Sequence, residues 1–507
     1  MIIKLAMLIV FFIAMIIVGI YARKHTTSVD GFVLGGHSAG PWLTAFAYGT
    51  SYFSAVVFIG YAGQFGWKYG MSATWIGIGN ALIGSLLAWI VLGRRTKVMT
   101  RHLQARTMPE FFEKRYFSKG LKIAASAICF IFLVPYTASI YNGLSRLFEM
   151  AFHIPYQYCV IGMAIFTGLY VILGGYMATA INDFIQGIIM LVGICVTIAA
   201  VLNINGGFMN SVFEMAKIPS DNPVTLGQQG AFTSFFGPDP VNLLGVVILT
   251  SLGTWGLPQM IGKFYAIKDE KSINTGTVIS TIFAFVVAGG SYFLGGFGRL
   301  FDGPGIRDAG GNVIFDRIVP EMLVDLPDVI VAVVVVLVLS ASMSTLASLV
   351  LTSSSTLTLD CLKGFVFKKM SEKQQIITMQ VLIVVFILIS VLLALNPSTF
   401  IAQLMGISWG ALAGSFLAPF LYGLYLKRIS PAAVWTSFVL GVGITTANMI
   451  FKFIASPINA GAFTMVAGLV VVPLVSLVTK KPERAAVDEI FAAYDEKVEK
   501  SKKHTLE

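Results

Sequence analysis

The 507 residues are 56% hydrophobic and only 12% charged, with a mean hydropathy of +0.82. Soluble domains carry about a quarter charged residues, so the bilayer must solvate much of this chain and a water-soluble enzyme is excluded. The net charge of +10 suggests no nucleic-acid partner, because the cations fall between apolar runs, where they set membrane orientation.

Taken in chain order, the apolar stretches predict an all-α membrane protein with about thirteen transmembrane helices. Their limits are 3–22, 41–66, 72–93, 121–148, 156–174, 178–204, 242–266, 274–299, 328–358, 375–395, 399–425, 431–453 and 462–479. The first run lacks a small-residue cleavage site and reads as a retained helix rather than a signal peptide. Arg23 and Lys24 follow segment one, and Arg94 to Lys119 form a basic loop after segment three. Lys268 and Lys271 follow segment seven, Lys363 to Lys373 segment nine, and Lys427 and Arg428 segment eleven. The connections 205–241 and 300–327 are instead acidic, with Glu214, Asp221, Asp239, Asp302, Asp308, Asp316, Glu321 and Asp325. Every basic loop therefore falls on one side, which puts the N-terminus outside and the C-terminus in the cytoplasm. The tail from 482, with Asp488, Glu489, Tyr494, Glu496 and Lys497, reads as a solvated amphipathic helix. Cys129, Cys159, Cys195 and Cys361 have neither disulfide nor metal spacing and read as buried small hydrophobes.

Two segments carry helix-breaking residues. Segment two contains Gly49-Thr50-Ser51-Tyr52-Phe53-Ser54, and segment seven contains Gly253-Thr254-Trp255-Gly256-Leu257-Pro258. Glycine makes unwinding cheap and proline removes a backbone donor. Segments two to six match segments seven to eleven, so the breaks fall at equivalent places of a five-plus-five inverted repeat, where transporters build their sites. Segment nine adds Ser340 to Thr345, Ser348 and Ser353 to Ser355, with positions 341, 344, 345 and 348 on one helical face. Such hydroxyls either let helices pack closely or, facing a broken helix, supply the oxygen ligands a hard cation prefers. Asp183, near the start of segment six, is a functional candidate because a carboxylate at membrane depth is costly; an interfacial helix cap is the other reading.

The chain resembles the sodium/solute symporter family, close to its proline and pantothenate branches. The likeness is carried by Gly35-Gly36 through Gly40-Pro41, and by Gly174-Gly175 with Asn182-Asp183 and Gln186-Gly187. Gly256-Leu257-Pro258 with Lys263 and Lys268-Asp269, and Met343-Ser344-Thr345 ending at Leu359-Asp360, complete it. The resemblance implies a LeuT-like fold with discontinuous first and sixth core helices. Its repeats would be 41–204 and 242–425, after a first helix and loop (1–40) and around an extracellular loop (205–241). Two C-terminal helices (426–481) and a charged tail (482–507) would follow.

The resemblance further implies a sodium site made of the carbonyls of Thr50, Phe53 and Ala341 and the hydroxyls of Ser344 and Thr345. Some members have a second cation site using an aspartate like Asp183. Here Ser348 is present, but Ala347 stands where those members have a hydroxyl, leaving that set incomplete. Proline carriers place an aspartate where this chain has Tyr52, a tryptophan at Val56, and aromatic residues at Thr250 and Thr254; Tyr136 alone matches, so a tightly packed proline pocket is not expected. The solute is thus expected near Ser54, Val56, Tyr136, Thr250, Thr254 and Trp255, and the region from Ile154 to Gly207 is more similar to the pantothenate branch. The function implied is sodium-coupled import of a small carboxylate, amino acid or vitamin-like solute across a bacterial plasma membrane, needing lipid bilayer but no protein partner. Alternatives are a proton-coupled carrier using Asp183, a solute sensor, or a channel.

Overall fold

The computed structural model describes residues 2–22, 28–37, 39–396 and 401–501. Arg23, Lys24, His25, the expected start of segment eleven at 399 and the tail beyond 501 lie outside the described residues, as does the side chain of Tyr52. Among the described residues there are helices, turns and two isolated β-bridges, without a strand.

Eleven described helices are long and apolar enough to cross a membrane. Thirteen expected spans become eleven because segments two and three run together and segment five is cut short, for physical reasons. Segment two is broken, so its first part, Pro41–Tyr52, is only 12 residues long. Its second part runs through a tight turn at Gly70 (φ 61°) into segment three, giving one continuous stretch Val56–His102. Segments five and six share the element Tyr156–Ile204, which bends sharply at Gly175 (φ 52°, ψ −147°). That backbone conformation is essentially open only to glycine.

Both expected breaks are present. Pro41–Tyr52 stops at Phe53, which is extended (φ −92°, ψ 120°). The chain turns helical again after Ser54, whose carbonyl accepts from the Val57 and Phe58 amides at 3.0 Å. In segment seven, Pro240–Leu252 passes through the tight turn Gly253–Trp255 to an extended Leu257 (φ −86°, ψ 122°), and Pro258–Tyr265 follows. The residue before a proline is driven out of the helical region, which fixes where this break falls. Glycine at 253 is required by packing, since a Cβ there would lie 2.6 Å from the Trp409 ring.

The serine-rich helix Asp328–Thr356 packs against Lys119–Phe152 and Tyr156–Ile204, and also against Pro41–Tyr52. Lys4 pairs with Asp328 at 2.9 Å, so the first helix begins on the side where the serine helix begins. The tail helix Arg484–Ser501 lies on the opposite, basic side, and it is not solvated as the sequence suggests. Val487, Ile490, Phe491 and Tyr494 recur at helical spacing and form a stripe. The first three of these are buried. The Tyr494 hydroxyl donates to the Leu424 and Arg95 carbonyls at 3.2 and 3.3 Å, and Lys427 pairs with Asp488 at 2.7 Å. Cys129 and Cys159 are buried as expected, but Cys195 is exposed. An apolar residue on the outer face of a membrane helix faces lipid at no cost, so hydrophobicity did not require its burial.

Candidate functional site

The first break leaves the last carbonyls of Pro41–Tyr52 without partners in their own helix. The serine helix faces them. Ser344 Oγ donates to Thr50 O at 3.2 Å and to Ala341 O at 3.0 Å. Thr345 Oγ1 lies 3.2 Å from Thr50 O, 3.1 Å from Phe53 O and 3.1 Å from Ala341 O. Three carbonyls and two hydroxyls thus converge, and all five residues are buried. Neutral oxygens clustered away from water are the donor set of a hard monovalent cation, and they contain no group that must first lose a proton. The Ala55 amide donates to Ser342 Oγ at 3.3 Å, pinning the far side of the break to the same helix.

Ser348, one turn further along the same face, meets other partners. Its hydroxyl is 3.0 Å from Ser51 Oγ and accepts from Lys263 Nζ at 3.1 Å. Lys263 also pairs with Asp183 Oδ2 at 3.4 Å, and its ammonium stands 5.2 Å from the centre of the Tyr176 ring. Asp183 and Ser348 are therefore brought together, as the resemblance implied, but with a lysine between them. In the sequence Lys263 stands out only as part of the family likeness; a cation in the second half of a broken apolar helix is the signal that could have marked it.

The six expected solute contacts divide into groups. Thr254 Oγ1 donates to the Gly84 carbonyl at 3.1 Å, and Trp255 Nε1 to the Ile83 carbonyl at 3.0 Å. Those acceptors lie in Asn80–Leu87, a wider-than-α stretch of helix that leaves carbonyls available. Ser54 Oγ accepts from the Val56 amide at 3.2 Å and so caps the resumed helix. Val56 and Tyr136 are fully buried, and the Tyr136 ring meets Trp409 edge-on at 5.9 Å. Since Trp409 also lies against Gly253, it links Tyr136 to the second break. Thr250 turns its hydroxyl to Val246 O of its own helix, 2.9 Å away. Trp409 and the 80–84 carbonyls were not read from sequence, because neither an isolated tryptophan in an apolar run nor a wide helical turn has a local signature.

The sodium:solute symporter family matches this chain over residues 32–441. The osmoregulated proline transporter OpuE of Bacillus subtilis (strain 168) is 29% identical over 489 residues, covering 94% of this chain and 95% of that protein. A sodium/proline symporter of Staphylococcus aureus (strain JH9) is 30% identical over 502 residues, covering 94% and 93%. Among solved structures, a Na+-coupled sialic acid symporter in a substrate-bound outward-open state superposes with a TM-score of 0.74 at 17% identity, over 95% of this chain and 99% of that one. Mhp1, a nucleobase-cation-symport-1 family transporter, gives 0.53 at 12% identity, over 90% and 97%. The two breaks, the helix order and these superpositions together give the LeuT-like fold. The chain belongs to the sodium:solute symporter family, and is a multi-pass membrane protein that moves a small solute coupled to sodium.

Proposed function

We propose that this chain imports a small carboxylate-bearing solute, with sodium held by the carbonyls of Thr50, Phe53 and Ala341 and the hydroxyls of Ser344 and Thr345. The observation that carries this reading is the convergence of those five oxygens, with hydroxyl–carbonyl distances of 3.1–3.2 Å to the broken helix and 3.0–3.1 Å within the serine helix. Sodium there ties the broken helix to the serine helix. If it binds one conformation better than the other, solute affinity and sodium affinity rise together, which is all that coupling requires. The solute then lies between the two breaks, near Ser54, Val56, Tyr136, Thr250, Thr254 and Trp255, with Trp409 as a further wall. The helix starting at Pro258 presents its N-terminus to the second break, where partial positive charge favours a carboxylate. The proline carriers among its relatives put proline in the panel of solutes to try, although of their pocket residues Tyr136 alone is kept.

The two repeats are taken as 41–204 and 242–425, in a bacterial plasma membrane with the N-terminus outside and the tail in the cytoplasm. The contacts of Lys4 with Asp328 and of the tail helix with the basic loops support that alternation. Purified protein melted with proline, other amino acids, carboxylates and vitamins, each in sodium and in potassium, tests the reading. A bound solute raises the melting temperature by mass action. Stabilisation by one compound in sodium alone is expected; equal stabilisation in potassium contradicts the assigned site.

A further inference from the structure

Asp183, Ser348 and Ser51 come from three different helices and offer a carboxylate and two hydroxyls in one buried place. That is an oxygen set a hard cation could take, and a buried carboxylate that stays ionised needs a cation beside it. The cation present belongs to the chain. Lys263 reaches in from the second half of the second broken helix, 3.4 Å from Asp183 Oδ2 and 3.1 Å from Ser348 Oγ. A lysine ammonium is a compact charge with three donors. Two meet those oxygens, and the third side of the group faces the Tyr176 ring at 5.2 Å. A small cavity of about 50 Å³ lies beside this place, lined in part by Arg106, Tyr176, Lys263 and Ser348. Lys263 and Ser348 line that cavity, so the ammonium borders the space next to this oxygen set.

We propose that Lys263 is a tethered cation filling the ligand set of Asp183 and Ser348, so that this place takes no sodium and the ion in the five-oxygen cage is the single one coupled. The single-ion conclusion rests on the cage being the sodium site; the exclusion by Lys263 does not.

Radioactive sodium bound at equilibrium by purified, monodisperse protein, counted as ions per chain, tests it. Lys263→Gln is expected to bind one ion more than the wild-type chain, because the buried carboxylate then recruits sodium. The double variant Asp183→Asn with Lys263→Gln is expected to return to the wild-type count. Equal counts in Lys263→Gln and wild type overturn the proposal. Should Lys263→Gln fail to purify, Ser348→Ala decides: an unchanged count is expected, and loss of one ion overturns the proposal. Thr345→Val, read in the same assay, removes the cage ion if that site is as assigned. Failure of the cage therefore shows as a different arm from failure of the lysine.

Discussion

Replacing Thr345 with valine removes one oxygen from the cage while keeping side-chain volume and β-branching. The hydroxyl is within 3.1–3.2 Å of three carbonyls, those of Thr50, Phe53 and Ala341. An interaction of a polar group with a charged partner contributes about 1.5–3 kcal/mol, and each 1.4 kcal/mol is tenfold, so sodium affinity should fall by about 10- to 100-fold. Thr345 is fully buried, so the valine methyl takes the hydroxyl's place among those carbonyls, and a melting curve of the variant checks that it still folds. Uptake measured against sodium concentration reads the effect as a rise in half-saturating sodium. Linkage requires solute affinity at fixed low sodium to fall with it, and Thr345→Ser, which keeps the hydroxyl, should change little. Half-saturating sodium unchanged in Thr345→Val would falsify the assignment.

Three further outcomes follow from the geometry. Asp183→Asn leaves the Lys263 ammonium buried beside a neutral partner, which should cost about 3–5 kcal/mol and lower the melting temperature in detergent; neutralising Lys263 as well should recover most of it. Gly175→Ala forces a Cβ to 2.8 Å from the Phe32 carbonyl at a positive φ, a strain of about 1–3 kcal/mol that should appear as a lower melting temperature. In the connection before Asp328, burial pushes the Asp316 carboxyl up to about 6 from 3.8, against the opposing Ile401 amide and Arg146. The folded chain then holds this proton more tightly than the unfolded one, so stability falls as pH rises between those values. Asp316→Asn should flatten the melting temperature over that window, and an identical pH profile in the variant would contradict the burial argument.

The parts of the site legible in sequence are those set by local chemistry. The runs Gly49 to Ser54 in segment two and Gly253 to Pro258 in segment seven mark weak points in their helices; the structure keeps Gly49 to Ser51 helical and puts the breaks at Phe53 and at Gly253–Leu257. The serine stripe was legible through its helical spacing. Residues whose role depends on a partner far along the chain were not. Lys263 meets Asp183 across 80 positions, and Trp409 reaches Gly253 from another helix. The amphipathic character of the tail helix was legible, yet nothing local says that Val487, Ile490, Phe491 and Tyr494 pack against the rest of the chain rather than face water. Span counting blurred at Gly70 and Gly175, where a single glycine joins or bends helices that hydropathy treats as separate or straight.

The most direct test of the sodium cage is solute accumulation by proteoliposomes under imposed gradients, comparing the wild-type chain with the double variant Ser344→Ala, Thr345→Val. An inward sodium gradient at equal pH should drive proline, or the solute found by thermal stabilisation, into vesicles holding the wild-type chain and not into those holding the variant. Accumulation that persists in the variant, or that follows a proton gradient in the absence of sodium, would contradict the account.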